Sequence, residues 1–150
     1  MEHLSNEMLK EELLRVVSSM DQLRKPGQKI IFECTVGEDV RVDKKLMANI
    51  LSNLLSNAIK FSPENSSILL KCEKRNGAFH FAVKDSGIGI SAADQEHLFE
   101  RFFRAQNASN IQGTGLGLNI VSKYLELMGG TIRCESTLNE GTTFLIEIPQ

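Results

Sequence analysis

A chain of 150 residues with 41% hydrophobic and 24% charged residues and a net charge of −2 has the size and balance of one soluble domain built on one core. It lacks the basic footprint of a nucleic-acid binder, so no nucleic-acid partner is expected. It also has no apolar run of membrane-helix length, and the acidic residues Glu2 and Glu7 do not suit a signal peptide, so the chain as given is expected in the cytoplasm.

Along the chain, Leu4, Met8, Val16, Val17, Met20 and Leu23 recur at helical spacing and predict a leading helix that Pro26-Gly27 stops. Residues 1–25 read as a linker helix from a longer parent, and residues 26–150 as the domain proper. Lys29 to Val36 and the short Asp39 to Val42 predict strands, and Asp43 caps the next element. From Asp43 to Phe61, Leu46, Ile50, Leu51, Leu54, Leu55, Ala58 and Ile59 form one apolar helical face, which Ser62-Pro63 ends. Asn76-Gly77 joins the alternating runs Ser67 to Lys74 and Ala78 to Asp85 into a predicted hairpin.

Beyond the glycine-rich Ser86 to Ile90, Ser91 and Asp94 predict a capped short helix reaching Leu98. The polar Ala105 to Gln112 has no period and reads as a mobile loop. Helical spacing returns from about Leu118 through Ile120, Val121, Tyr124, Leu125 and Met128, and Gly129-Gly130 supplies the stop. A final hairpin pairs Thr131 to Ser136 with Thr142 to Ile148. The three cysteines, Cys34, Cys72 and Cys134, form no C-x-x-C pair, and strand-like flanks predict buried structural thiols in a reducing compartment.

Three features carry chemistry. Asn49, Asn53 and Asn57 repeat at four-residue spacing beside the apolar face of the strongest helix, although asparagine is a poor helix former. A solvated face explains Asn49. For Asn57, with Lys60 and Phe61 one turn on, a ligand site is preferred, because an amide oxygen suits Mg²⁺ and a lysine suits a phosphate. In Asp85-Ser86-Gly87-Ile88-Gly89-Ile90 an acidic residue ends a strand before two glycines, and a plain turn explains that motif alone equally well. Gly113-Thr114-Gly115-Leu116-Gly117-Leu118 runs into a helix whose first N–H groups make an anion site, which is preferred to a simple hinge. No G-x-x-x-x-G-K-[ST] loop, dinucleotide fingerprint or H-R-D and D-F-G pair is present, so a different nucleotide fold is required.

Asn53 to Phe61, Asp85 to Ile90, Leu98-Phe99-Glu100-Arg101-Phe102-Phe103-Arg104, Gly113 to Leu118 and Gly141-Thr142 together resemble the N, G1, F, G2 and G3 boxes of sensor histidine kinases. Their order and separations also match, over about Glu12 to Pro149. The resemblance implies an α/β two-layer sandwich of the Bergerat type found in the GHKL superfamily. That fold has a mixed sheet of about five strands backed by three helices, with a mobile ATP lid, here Ala105 to Gln112.

By this resemblance Asp85 would accept from the adenine amino group and Asn57 would hold Mg²⁺ bridging the phosphates. Lys60 and Arg104 would contact phosphate oxygens, Phe61 would line the adenine side, and Gly113, Thr114, Gly115, Leu116, Gly117 and Leu118 would wrap the triphosphate. The same match places Asn53, Gly87, Gly89, Ile90, Phe103 and Thr142 in the nucleotide-binding set, with Asn53, Asn57, Lys60 and Arg104 as its catalytic members. Hydrolytic members of the superfamily, gyrase and the Hsp90 chaperones among them, carry a glutamate where this chain has Asn53, and so do the related serine kinases. An amide cannot act as general base, whereas a neutral imidazole attacks phosphorus without one. A histidine acceptor therefore fits.

His3, His80 and His97 all lack the family's phosphoacceptor context. His3 reads as part of a linker or tag, His80 as a strand residue facing solvent or a partner, and His97 as part of the short helix. The resemblance thus implies a monomeric fragment that binds ATP or ADP without phosphorylating itself. Its expected partners are the parent's dimerisation and histidine-phosphotransfer helices, which would cover Phe99 to Phe103, and a response-regulator receiver domain. Membrane anchoring of the parent stays open. The alternatives are a non-catalytic nucleotide-sensing module and an ATPase or serine kinase of the superfamily.

Overall fold

The computed structural model describes residues 1–101, 103, 105 and 117–150. In chain order its elements are β1 (Glu2–Leu4), α1 (Asn6–Ser19), β2 (Lys29–Cys34), β3 (Val40–Val42), α2 (Lys44–Phe61), β4 (Ser67–Arg75) and β5 (Ala78–Asp85), followed by α3 (Ala92–Gln95), α4 (Gly117–Leu127), β6 (Thr131–Thr137) and β7 (Gly141–Pro149). Five strands form a mixed sheet in the order β2-β4-β5-β7-β6, and β1 pairs with β3 in a separate two-stranded ribbon. Only the β2–β4 pair in the large sheet is parallel, as the intervening β3 and α2 crossover requires.

The strands alternate as a half-buried sheet must. Phe79, Phe81 and Val83 on β5 and Phe144, Ile146 and Ile148 on β7 are buried beneath the helices, and Lys84 and Glu147 are exposed on the other face. Helix α2 lies centrally, between α1 and α4 and over β4 and β5. The Asp43 side chain caps α2 by accepting from the Leu46 N–H at 3.0 Å. Met47, Ile50, Leu51, Leu54, Leu55, Ala58 and Ile59 form its buried face. Met47 replaces the expected Leu46, which is half-buried. At the β4–β5 turn Asn76 and Gly77 both have positive φ, 51° and 74°, as a two-residue turn matched to strand twist demands.

The start of the chain departs from the sequence expectation. Glu2–Leu4, with His3 in it, is a strand paired to Val40–Val42 and not part of a helix or an unpaired linker. Ser5 then caps α1, its Oγ accepting from the Met8 N–H at 3.2 Å. Packed on α2, this helix and its C-cap turn Leu9, Leu13, Val16 and Met20 inward, while Met8 and Leu23 are exposed. The short helix at Ala92–Gln95 likewise ends before the expected Leu98. Buried Glu12 bonds Arg15 and pairs with Lys44 at 3.8 Å, tying α1 to the first turn of α2. Hydrogen bonding to Arg15 leads the effects that hold its carboxyl below the ordinary range.

Residues 1–25 therefore contribute Leu4, Leu9, Leu13, Val16 and Met20 to the same core as α2. Leu13, fully buried, gives the test: Leu13→Ala is expected to destabilise the whole domain by about 2–5 kcal/mol in urea unfolding, with one cooperative transition and no separate loss of α1.

Candidate functional site

The inner face of the sheet ends in a polar row. Asp85 occupies the position on β5 that continues the column Phe79, Phe81, Val83. It pairs with Thr142 on β7, which pairs with Ser136 on β6. The row before it is Val83, Phe144 and Cys134, so the change from apolar to polar takes one step along each strand. Asp85 is only 8% exposed. Its burial raises the carboxyl pKa, against the lowering effect of backbone N–H groups of Gly87 and Thr142.

Gly87 N–H donates to Asp85 Oδ1 at 2.8 Å. The same loop is pressed against the C-terminal end of α2, where Ile88 N–H donates to the Phe61 carbonyl at 3.1 Å. A Cβ on Gly87 would sit 2.3 Å from that carbonyl oxygen, so no other residue fits without moving the loop from the helix. On its far side the loop rests on the β6–β7 turn. Asn139 N–H donates to the Ile88 carbonyl at 2.7 Å, and Gly89 lies against the Thr137 carbonyl. Gly141 comes equally close to Asp85: a Cβ there would meet the Asp85 carbonyl oxygen at 2.1 Å.

Two residues that sequence reasoning missed hold this loop. Ser136 Oγ donates to the Gly141 carbonyl at 2.8 Å, accepts from the Ile90 N–H at 2.8 Å and lies 2.8 Å from Thr142 Oγ1. A hydroxyl has one proton, and Gly141 takes it, so Thr142 must be the donor in the third bond. Gln95 on α3 donates to the Ile90 and Ser136 carbonyls at 2.8 and 3.1 Å. The strand register that brings Ser136 beside Thr142, in the same row as Asp85, has no local signal in the sequence.

The other wall is α2. Asn49 and Asn53 donate to the carbonyls four residues back, Lys45 and Asn49, at 3.0 and 2.9 Å. Asn53 Oδ1 faces the first residue of α4, 3.1 Å from where a Gly117 Cβ would stand. Asn119 on α4 donates to the Phe99 carbonyl at 2.9 Å. Asn49 and Lys60 are exposed, whereas Asn53, Asn57 and Phe61 are half-buried. The end of α2 is held from the leading segment: Lys25 Nζ donates to the Lys60 and Ser62 carbonyls at 2.8 and 2.7 Å, and buried Gln28 donates to those of Ile59 and Ser62 at 3.2 and 3.1 Å. These bonds satisfy carbonyls that a helix end leaves without partners.

Asn53, Asn57, Lys60, Phe61, Asp85, Gly87, Gly89, Ile90, Gly117, Leu118 and Thr142 thus come from elements that meet at one end of the sheet. Phe99 and Phe103, within the stretch expected to meet the parent's helices, are half-buried and pack against the core. The Phe103 ring lies 5.7 Å from that of His97, which pairs with Glu100 at 2.9 Å. His80 is half-buried, with a buried Nε2 that has no partner among the described residues. Phe102, Arg104, Gly113, Thr114, Gly115, Leu116 and residues 106–112 of the expected lid lie outside the described residues.

At this end of the sheet a loop is threaded between a helix end and a hairpin, over a buried carboxylate at a strand end. Residues 42–150 match the family described as histidine kinase-, DNA gyrase B-, and HSP90-like ATPase, and the chain belongs to that family. Within it the chain sides with the sensor histidine kinases. It is 41% identical over 123 residues to the sensor-like histidine kinase SenX3 of Mycolicibacterium smegmatis, covering 81% of this chain and 32% of that protein. It is 40% identical over 112 residues to the circadian input-output histidine kinase CikA of Synechococcus elongatus, covering 73% of this chain and 15% of that one. The chain thus spans about a third or less of these relatives' lengths.

Among solved structures, the mycobacterial sensor histidine kinase MprB superposes with a TM-score of 0.80 at 28% identity, covering 99% of this chain and 96% of that one. Full-length ShkA in complex with AMPPNP superposes at 0.82 and 29% identity, covering 94% and 30%. The five-stranded mixed sheet with its helical layer is the fold of histidine kinase catalytic domains. Among the described residues no helix is long and apolar enough to cross a membrane.

The hub at Ser136 gives a direct test of this geometry. Ser136→Ala leaves the Ile90 N–H and the Gly141 carbonyl without their partner, so urea unfolding should show a loss of about 1–3 kcal/mol.

Proposed function

We propose that this chain binds Mg-ATP and presents the γ-phosphate to a histidine on dimerisation helices of a longer parent, for onward relay to a receiver-domain aspartate. The observation that carries the reading is the buried Asp85. A carboxylate buried at the end of an apolar column at a cost in solvation needs a partner, and an adenine amino group supplies the donor that burial withholds. Thr142 and the Gly87–Ile90 loop shape the base's surroundings, and Phe61 and Phe103 flank them. Lys60 and Arg104 neutralise phosphate charge, while Gly113 to Leu118 offer backbone N–H groups at the start of α4.

Among the described residues no three of His, Cys, Asp and Glu cluster to hold a metal. The neutral amide oxygen of Asn57 is a hard donor that fits a cation arriving with the nucleotide, as Mg²⁺ does with substrate phosphates. Bound there, Mg²⁺ would neutralise charge on the phosphate oxygens. Asn53 bonds backbone and faces α4, and its amide has no basic lone pair to take a proton from water. This favours a neutral imidazole acceptor over hydrolysis. Residues 1–25 lead toward the parent's dimerisation helices, with α1 docked on the domain.

Calorimetry with ATP and ADP, with and without Mg²⁺, tests the site. Asp85→Asn is expected to weaken binding by roughly 1.5–3 kcal/mol, the worth of a charged hydrogen bond; unchanged affinity would remove Asp85 from the adenine contact. Substantial steady phosphate release would favour an ATPase, and failure to phosphorylate an added phosphoacceptor-helix fragment despite tight binding would favour a nucleotide-sensing module.

The raised Asp85 pKa also fixes a sign. The folded state holds this proton more tightly than the unfolded chain, so the group's contribution to stability falls as pH rises from its ordinary value of 3.8 through the folded value. Nucleotide affinity is expected to run the other way, since the ionised carboxylate is the stronger acceptor. Asp85→Asn should therefore gain stability relative to the wild type at neutral pH while binding worse, and that gain should shrink at acid pH in paired urea titrations.

A further inference from the structure

Cys34 and Cys72 lie far apart in the chain but stand opposite each other in the parallel β2–β4 register. Neighbouring strands run roughly 4.8 Å apart, which falls within the Cα separation of about 4.4–6.8 Å that a disulfide spans. Both cysteines continue the inward columns of their strands: Ile30 and Phe32 precede Cys34, and Ile68 and Leu70 precede Cys72. Both are free thiols, Cys72 fully buried and Cys34 half-buried.

We propose that Cys34 and Cys72 form a peroxide-sensitive dithiol, in which Cys34 is the sulfur attacked by the oxidant and Cys72 resolves it to a reversible disulfide across β2 and β4. The surroundings divide the two roles. The Cys72 thiol donates to Cys34 sulfur, the Val36 backbone adds a hydrogen bond, and Lys10 of α1 adds positive charge; against burial, these bring Cys34 down to about 6. Glu33, Lys71 and Glu73 occupy the alternate positions of β2 and β4 and point to the opposite face. Cys72 is driven well above the ordinary thiol range by keeping the shared proton, by burial and by the charge on Cys34. Cys134 serves as an internal contrast, since burial first, then the Asp85 and Glu135 charges, push it up to about 11.

With a hydroperoxide as oxidant, the Cys34 thiolate attacks one peroxide oxygen. An S–O bond forms, the O–O bond breaks, and the leaving hydroxide is protonated to water. Cys34 is thereby oxidised by two electrons to the sulfenic acid. Two of the influences that held the Cys72 proton, the bond to a thiolate and its charge, then vanish. The Cys72 sulfur attacks that of Cys34, the S–S bond forms, the S–O bond breaks, and the departing hydroxide leaves as water with the Cys72 proton.

The test is treatment of the folded chain with hydrogen peroxide followed by peptide mapping. The expected product is a linked Cys34–Cys72 peptide, reversed by dithiothreitol, with Cys134 unmodified. Cys72→Ala should instead leave a Cys34 sulfenic acid that dimedone traps. Iodoacetamide alkylation of the unaltered chain needs no variant to fold: Cys34 should react at least about tenfold faster than Cys134 at neutral pH, after allowing for the lower nucleophilicity of a more acidic thiol. Equal rates at Cys34 and Cys134, or direct passage of Cys34 to a sulfinic acid without the linked peptide, would overturn the proposal.

Discussion

A carboxylate buried at the end of an apolar strand is the constraint around which this end of the molecule is arranged. Desolvation pushes the Asp85 pKa up, and the Gly87 and Thr142 N–H groups offset only part of that. Keeping those groups in place requires the loop after Asp85 to run between the end of α2 and the β6–β7 turn with almost no clearance. Gly87 and Gly141 are glycines because a Cβ at either would strike a carbonyl oxygen. Packing against fixed backbone is thus the first reason for glycine at these two positions.

The site also depends on the start of the chain. Asn57, Lys60 and Phe61 stand on the last two turns of α2, whose free carbonyls are bonded by Lys25 and Gln28. The same leading segment buries Leu9, Leu13, Val16 and Met20 against the core. Removing it would withdraw apolar contacts and the C-terminal cap of the site helix together. The link between core stability and site geometry therefore runs through α1 and the turn that follows it, which lie outside the residues matched to the family.

Much of the architecture was legible in the sequence because it is encoded locally. The apolar face of α2, the Asp43 cap and the Asn76-Gly77 turn each need only neighbours within a few residues, and all appear as expected. Features that need long-range register were not legible. The pairing of Glu2–Leu4 with Val40–Val42, the position of Ser136 beside Thr142, and the meeting of Cys34 with Cys72 are all products of strand alignment. The inward face of α1 was misjudged for a related reason: Leu9 and Leu13, and not Met8, are the residues packed inward, and α2, against which they pack, is distant in the sequence.

The register also separates the cysteine pair from the proposed nucleotide site. Cys72 is aligned with Phe81 on β5, and Phe81 precedes Asp85 by two steps along the same inward column. Four residues of strand span roughly 13 Å, and the row between holds Val83, Phe144 and Cys134. A disulfide at Cys34–Cys72 would therefore touch neither the carboxylate nor its loop. Its direct effect would be to tie β2, an edge strand paired only with β4, to the sheet. Because β2 begins at Lys29, directly after Gln28, which bonds the end of α2, β2 is one route by which the disulfide would act on the proposed nucleotide site.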